Sequence, residues 1–146
     1  MTPINRNADL YLPVRPGTDV ILLMSLLHVI LRDGLEDREF IEKCTSGFEP
    51  VAESVRQYDP KRAAESTGVP PDSIEKAAHW FGEAEHAIAL HARGIEHQSK
   101  GVENCSPIIN LCLAIGNVGR EGAGCSMITG QGNGQGGREQ IGRAHV

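Results

Sequence analysis

Several things are scarce in this chain, and each scarcity excludes a class of function. Aromatic residues make up only 4% of the 146 residues, no run of basic residues occurs, and the formal net charge is −5. A nucleic-acid footprint needs the opposite balance, so no nucleic-acid partner is expected. The longest apolar run, Val20–Leu31, is too short to span a bilayer and contains Ser25 and His28, so it reads as a buried helix and no membrane span is expected. Met1 is followed by a polar, proline-containing segment with no apolar stretch of signal-peptide type. The four cysteines, Cys44, Cys105, Cys112 and Cys125, form no C-x-x-C pair. Zinc-ribbon or iron–sulfur ligation by this stretch therefore has no support, no metal ligands are assigned, and reduced structural thiols in the cytoplasm are the expectation. There is no Walker motif, no H-E-x-x-H and no Ser/His/Asp pattern, which leaves nucleophilic and zinc-hydrolase chemistry without a basis.

What is abundant is glycine, and it is concentrated near the C-terminus. Thr129-Gly130-Gln131-Gly132-Asn133-Gly134-Gln135-Gly136-Gly137-Arg138-Glu139 holds five glycines in eleven residues and no aliphatic side chain. Such a stretch has nothing apolar to bury. It can bring bare N–H groups, amide donors and a guanidinium close to a polyanion, and on composition alone it reads equally as a tether.

The rest of the chain alternates between extended and helical patterns. Leu10, Leu12 and Val14 alternate in Ala8–Val14, which predicts a short strand that Pro13 confines to an edge. Arg15-Pro16-Gly17-Thr18-Asp19 turns into the Val20–Leu31 helix, with Thr18 or Asp19 as N-cap and Gly34 just past its end. Short helices are predicted near 37–44, 49–57 and 60–66, then a longer one from Asp72 to about Gly82 with Ile74, Ala77, Ala78 and Phe81 as its apolar stripe. His79 beside that stripe reads as an ordinary surface residue. Ala87–Ala92 reads as a buried parallel strand that ends in the loop Arg93–Gly101. A helix from Glu103 to Ile115 follows, buried through Ile108, Ile109, Leu111, Cys112 and Ile115, and Pro107 requires it to start near Asn104. Gly116–Gly124 is a turn-rich loop, and Cys125–Ile128 is a short extended piece.

This order predicts part of an α/β layer fold with a parallel sheet. Ligands of such folds sit beyond the carboxyl ends of the strands, where the Arg15–Asp19 and Arg93–Gly101 loops fall. Gly17 allows close backbone approach, and Asp19 can accept two N–H bonds from a guanine edge or hold a ribose diol. Arg93 and Lys100 can neutralise phosphate, and His97 and Gln98 add neutral donors. Neither loop is a Rossmann fingerprint, so a non-catalytic nucleotide-binding module is also compatible with these residues.

Taken together, Ala8–Pro13 with Arg15–Asp19, Gly94–Gly101, Leu113–Gly124 and Thr129–Glu139 resemble, in order and spacing, the catalytic subunits of the molybdopterin oxidoreductase family. The resemblance implies a helix-rich, parallel-sheet cofactor domain of the formate dehydrogenase/DMSO reductase type. It implies bis-molybdopterin guanine dinucleotide carrying molybdenum as cofactor. On it, Asp19 contacts guanine, with Arg15 and Gly17 in the same loop. Arg93, Gly94, His97 and Gln98 lie along the pterin and diphosphate, and Gly130, Gln131 and Asn133 approach the pterin. Thr129 is the substrate-pocket candidate. Formate dehydrogenases tend to carry arginine at that position and nitrate reductases threonine, followed by a run like Gly136-Gly137-Arg138-Glu139. The implied reaction is oxygen-atom transfer from nitrate, a small oxoanion, with electrons from a separate donor protein or domain; a formate dehydrogenase-like subunit is the alternative.

The resemblance also implies an internal fragment that is inactive alone. The family's 4Fe-4S cysteines and molybdenum ligand would precede Met1, in a parent whose compartment could be cytoplasmic or periplasmic. Its last cofactor domain would follow Val146. The expected division is 1–139 as part of the family domain and 140–146 as a non-native tail, since Ile-Gly-Arg-Ala-His-Val is one reading frame of a common sequencing-library adapter.

Overall fold

In the computed structural model, which describes residues 3–128 and 130, a helical layer is followed by a β–α–α–β unit. A single 3-10 turn, Ile4–Arg6, opens the chain. A bend at Asp9 and Leu10 leads into residues 11–14, which pair with no strand among the described residues. This corrects the edge-strand expectation. The alternation is real, since Leu10, Leu12 and Val14 are half-buried between exposed neighbours. Leu12 and Val14 satisfy it by packing on Ala63, Val69 and Ile74, so helices rather than a sheet receive this face.

Helix α1 (Asp19–Arg32) is the axis of the structure and packs against four other helices, as its nearly all-round apolar character requires. Thr18 occupies the N-cap position, but its hydroxyl donates to the Arg15 carbonyl, 2.7 Å, and caps nothing. The helix ends in a Schellman turn: Gly34 is left-handed and the Leu35 N–H donates to the Ile30 carbonyl, 2.9 Å. Helix α2 (Arg38–Cys44) is capped by Asp37, whose carboxylate accepts from the Phe40 N–H. Helix α3 (Phe48–Val55) and helix α4 (Pro60–Thr67) follow, the latter with Pro60 in its first turn and Asp59 as cap. Helix α5 (Pro71–Gly82) buries Ile74 and Ala78 as the stripe predicts.

Strand β1 (Ile88–His91) and strand β2 (Gly124–Met127) pair in parallel, with Ile88 opposite Gly124 and His91 opposite Met127. Between them lie helix α6 (Arg93–Glu96) and helix α7 (Gly101–Ala114). The α/β class and the parallel pairing are as expected. Three details differ. First, β1 is not buried on both faces: α7 covers the Ala89/His91 side, while Ile88 and Leu90 are 55% and 60% exposed. An apolar run cannot reveal which of its faces finds a partner. Second, the predicted loop after β1 begins with the single turn α6, held by the His97 N–H to the Arg93 carbonyl, 2.9 Å. Third, α7 starts at Gly101, so Pro107 lies in the helix interior and not in its first turn. The carbonyl this leaves unpaired belongs to Glu103, which is exposed and can be solvated by water. Ile109 is also turned outward, 46% exposed, while the other four predicted core positions of this segment are buried.

Asp37 joins the two halves. Its N–H donates to the Ala114 carbonyl, 2.8 Å, and its carboxylate accepts from Arg120, 3.0 Å. A side chain at Gly116 would collide with it, so this glycine permits close approach.

Candidate functional site

The Gly17 turn and the α6–α7 connection come from distant parts of the sequence, and the fold sets them side by side at the carboxyl end of β1. Gly17 is left-handed, with open space where a side chain would stand. It lets the chain reverse so that Asp19 becomes the first residue of α1. Asp19 lines two neighbouring cavities. One, of about 290 Å³, is also lined by Leu22, Leu23, His91, Gly94 and Ile108. The other, of about 160 Å³, is lined by Gly17, Gln98, Ser99, Lys100 and Asn104. Ile95 faces both. One compartment is thus largely apolar and the other polar with an ammonium group, a division that suits a ligand with a flat heteroaromatic part and a charged part.

The connection that carries the polar residues is held tightly. Gln98 Nε2 donates to the Gly94 carbonyl at 3.1 Å, and Asn104 Nδ2 to the Ile95 carbonyl at 3.4 Å. A side chain on Gly101 would run into the carbonyl of Glu96, so only glycine lets α7 begin so close to α6. Gly94, in contrast, has open space on its side-chain face and leaves the backbone approachable.

Of the residues predicted from sequence, Gly17, Asp19, Gly94 and Gln98 line these cavities. Arg15 does not: its guanidinium donates to the carbonyls of Glu65, 2.8 Å, and Ser66, 3.3 Å, at the end of α4. Arg93 donates to His97 Nε2, 2.7 Å, across one turn of α6, and neither lines either of these two cavities. Gly130 is exposed, and Thr129, Gln131 and Asn133, like the predicted boundary at 139 and the tail, lie outside the described residues.

His91 and Glu96 were not singled out. Their side chains are 14% and 13% exposed, with His91 Nδ1 3.0 Å from Glu96 Oε1. Both atoms are shut off from solvent, and among the described residues neither makes a hydrogen bond. Leaving such groups unsatisfied costs about 1–3 kcal/mol each, so the pair is under pressure to find a better arrangement. The available signal was a histidine closing an otherwise apolar strand, directly before a predicted ligand loop.

Other polar clusters read as structural. Arg32 donates to Asp33 and to Glu75, and His79 bridges Asp33 and Glu83, both at 3.0 Å. Asp33, Glu75 and His79 place ligand atoms within 4.8 Å of one another, but Arg32 already serves both carboxylates. This network ties the end of α1 to α5. All four cysteines are free, and burial pushes the Cys112 thiol up to about 11, where it stays protonated. Among the described residues, no helix is long and apolar enough to cross a membrane.

Comparison with known proteins places this geometry in a family. The family model for molybdopterin oxidoreductases matches residues 3–146. The chain is 38% identical over 135 residues to the F420-dependent formate dehydrogenase 1 subunit alpha of Methanococcus maripaludis, covering 92% of this chain and 20% of that protein. It is 38% identical over 138 residues to the assimilatory nitrate reductase catalytic subunit of Bacillus subtilis, covering 94% of this chain and 19% of that one. Acetylene hydratase from Pelobacter acetylenicus superposes with a TM-score of 0.76 at 30% identity, over 83% of this chain and 17% of that structure. The chain therefore spans about one fifth of the length of these relatives. With the family match running nearly end to end, the chain belongs to the molybdopterin oxidoreductase family.

Proposed function

We propose that this segment is the guanine-dinucleotide-holding part of a nitrate reductase-like catalytic subunit. The observation that carries the cofactor reading is the meeting of Gly17 and Asp19 with Gly94, Gln98 and Lys100 around two adjoining cavities. The residues fit the group. Asp19 offers a carboxylate to the donor edge of guanine, Leu22, Leu23 and Ile108 offer apolar contact to a ring, and Lys100 balances diphosphate charge. Gly17 and Gly94 leave the backbone bare for close approach. When bound, the molybdenum–pterin group supplies the oxygen-atom and electron transfer; the residues named here bind and orient it.

The nitrate reading rests on Thr129 heading the glycine stretch and on Gly136-Gly137-Arg138-Glu139. Threonine offers a neutral hydroxyl where an arginine would pair with a carboxylate substrate. The formate dehydrogenase reading keeps its place because equally similar relatives carry that activity. In either case the partners are the remainder of the parent subunit, an electron-donor protein or domain, and a small oxoanion. The isolated 146-residue chain, which forms only part of such a site, is expected to turn over neither substrate.

Segment exchange separates the two readings. Residues 3–139 would replace the matching segment of the Bacillus subtilis nitrate reductase and, separately, of a formate dehydrogenase. Nitrate reduction by the first chimera, and loss of formate oxidation in the second that Thr129→Arg restores, is the expected result. Formate oxidation without that change, with no nitrate reduction, selects the alternative.

A further inference from the structure

We propose that His91, positioned by Glu96, is a specificity-determining contact that accepts a hydrogen bond at Nε2 from the base of the bound dinucleotide. The inference rests on the dinucleotide reading above. His91 closes β1 and lines the same apolar compartment as Asp19. Its Nδ1 lies 3.0 Å from Glu96 Oε1, and both atoms are buried without another partner. An ionised carboxylate can only accept, so a neutral ring turned into line with Glu96 donates from Nδ1 and keeps its lone pair on Nε2. A small rotation of the ring aligns the pair, and a ligand that engages Nε2 supplies the reason to rotate.

The side-chain polar groups of this compartment, Asp19 and His91, are then both acceptors. They select a base whose edge is rich in donors. Guanine presents N1–H and the exocyclic N2 amine side by side; adenine presents an acceptor at N1 beside its single amine. Leu22, Leu23, Ile95 and Ile108 contact either ring equally, so the discrimination falls to the two acceptors.

The test uses the 146-residue chain, labelled with nitrogen-15 in histidine, titrated with guanosine diphosphate and adenosine diphosphate. The guanine nucleotide is expected to bind more tightly. It should shift the unprotonated Nε2 resonance of His91 while Nδ1 stays protonated. His91→Leu is expected to narrow the guanine-to-adenine affinity ratio by about fivefold, the worth of one hydrogen bond. Glu96→Gln retains an acceptor oxygen and should preserve the ratio, whereas Glu96→Leu should lose it and free the ring proton to move. A His91 ring unmoved by guanosine diphosphate, or a ratio unchanged in His91→Leu, overturns the role of His91 and leaves the dinucleotide reading standing. Binding of neither nucleotide by the unmodified chain overturns both. If His91→Leu does not fold, the ring resonances of the unmodified chain decide alone.

Discussion

The helical half of the molecule and its sheet half treat the same kind of side chain in opposite ways. In α1 to α5, Leu27, Ile30, Val55 and Ile74 are all but inaccessible to solvent. In β1, Ile88 and Leu90 are more than half exposed. A parallel sheet is normally covered on both faces, and here α7 covers one. Among the described residues, the helical half is closed by its own residues and the sheet half is covered on one side. The candidate site lies at the seam, where the first turn of the most buried helix meets the end of the half-covered strand. Rigidity comes from one side and open space from the other.

Substitutions can break that comparison. The largest effect is expected for Ile30→Ala in the closed core, about 2–5 kcal/mol of stability, against less than about 0.5 kcal/mol for Leu90→Ala on the open face. Urea unfolding of both variants checks this, and equal losses would mean that the open face is covered in solution. Next is Gly101→Ala. Its new methyl group meets the Glu96 carbonyl, so α6 and α7 must move apart at a cost of about 1–3 kcal/mol, and the seam should loosen in hydrogen exchange. An unchanged exchange rate at Ile95–Asn104 contradicts the tight turn.

A smaller effect separates scaffold from site. Arg15→Ala removes the donor to the α4 carbonyls and should cost about 1 kcal/mol of stability, with guanosine diphosphate affinity unchanged. Asp19→Asn should weaken nucleotide binding and leave stability nearly intact. Parallel melting and titration experiments read both, and a reversed pattern would return Arg15 to the site.

The smallest effect is a pH dependence confined to the helical half. Hydrogen bonds that His79 donates to Glu83 and then to Asp33 raise its pKa, so its contribution is complete below the unfolded value near 6.5 and fades as pH rises through the higher folded value. Arg32 chiefly lowers the Asp33 pKa, so that contribution is present above the unfolded value near 3.8 and fades as pH falls through the lower folded value. Denaturation midpoints should decline as pH rises above about 6.5 in the unmodified chain and more weakly in His79→Ala; identical profiles would show that the network does not couple to folding.

Much of this was legible in the residues. Helix α1 announced itself through an apolar run ended by Gly34, because breakers act locally, although Thr18 caps nothing. Gly17 and Asp19 do meet the loop after β1, although the strand expected to lead into their turn did not form. The strand expected over Ala8–Val14 failed because alternation reports a half-buried face and not the partner that buries it. Pro107 misled for a related reason: a helix tolerates an interior proline when water can serve the lost carbonyl.

By itself the sequence determined the order of the longer helices, the parallel α/β class and the family, because these depend on neighbours within a few turns or on motifs in fixed order. Only the tertiary structure decided that Arg15 serves α4 and that His91 shares a cavity wall with Asp19. Those outcomes turn on which hydrogen-bond partners come within reach in space, and residues far apart in the chain compete for them only once the helices have packed.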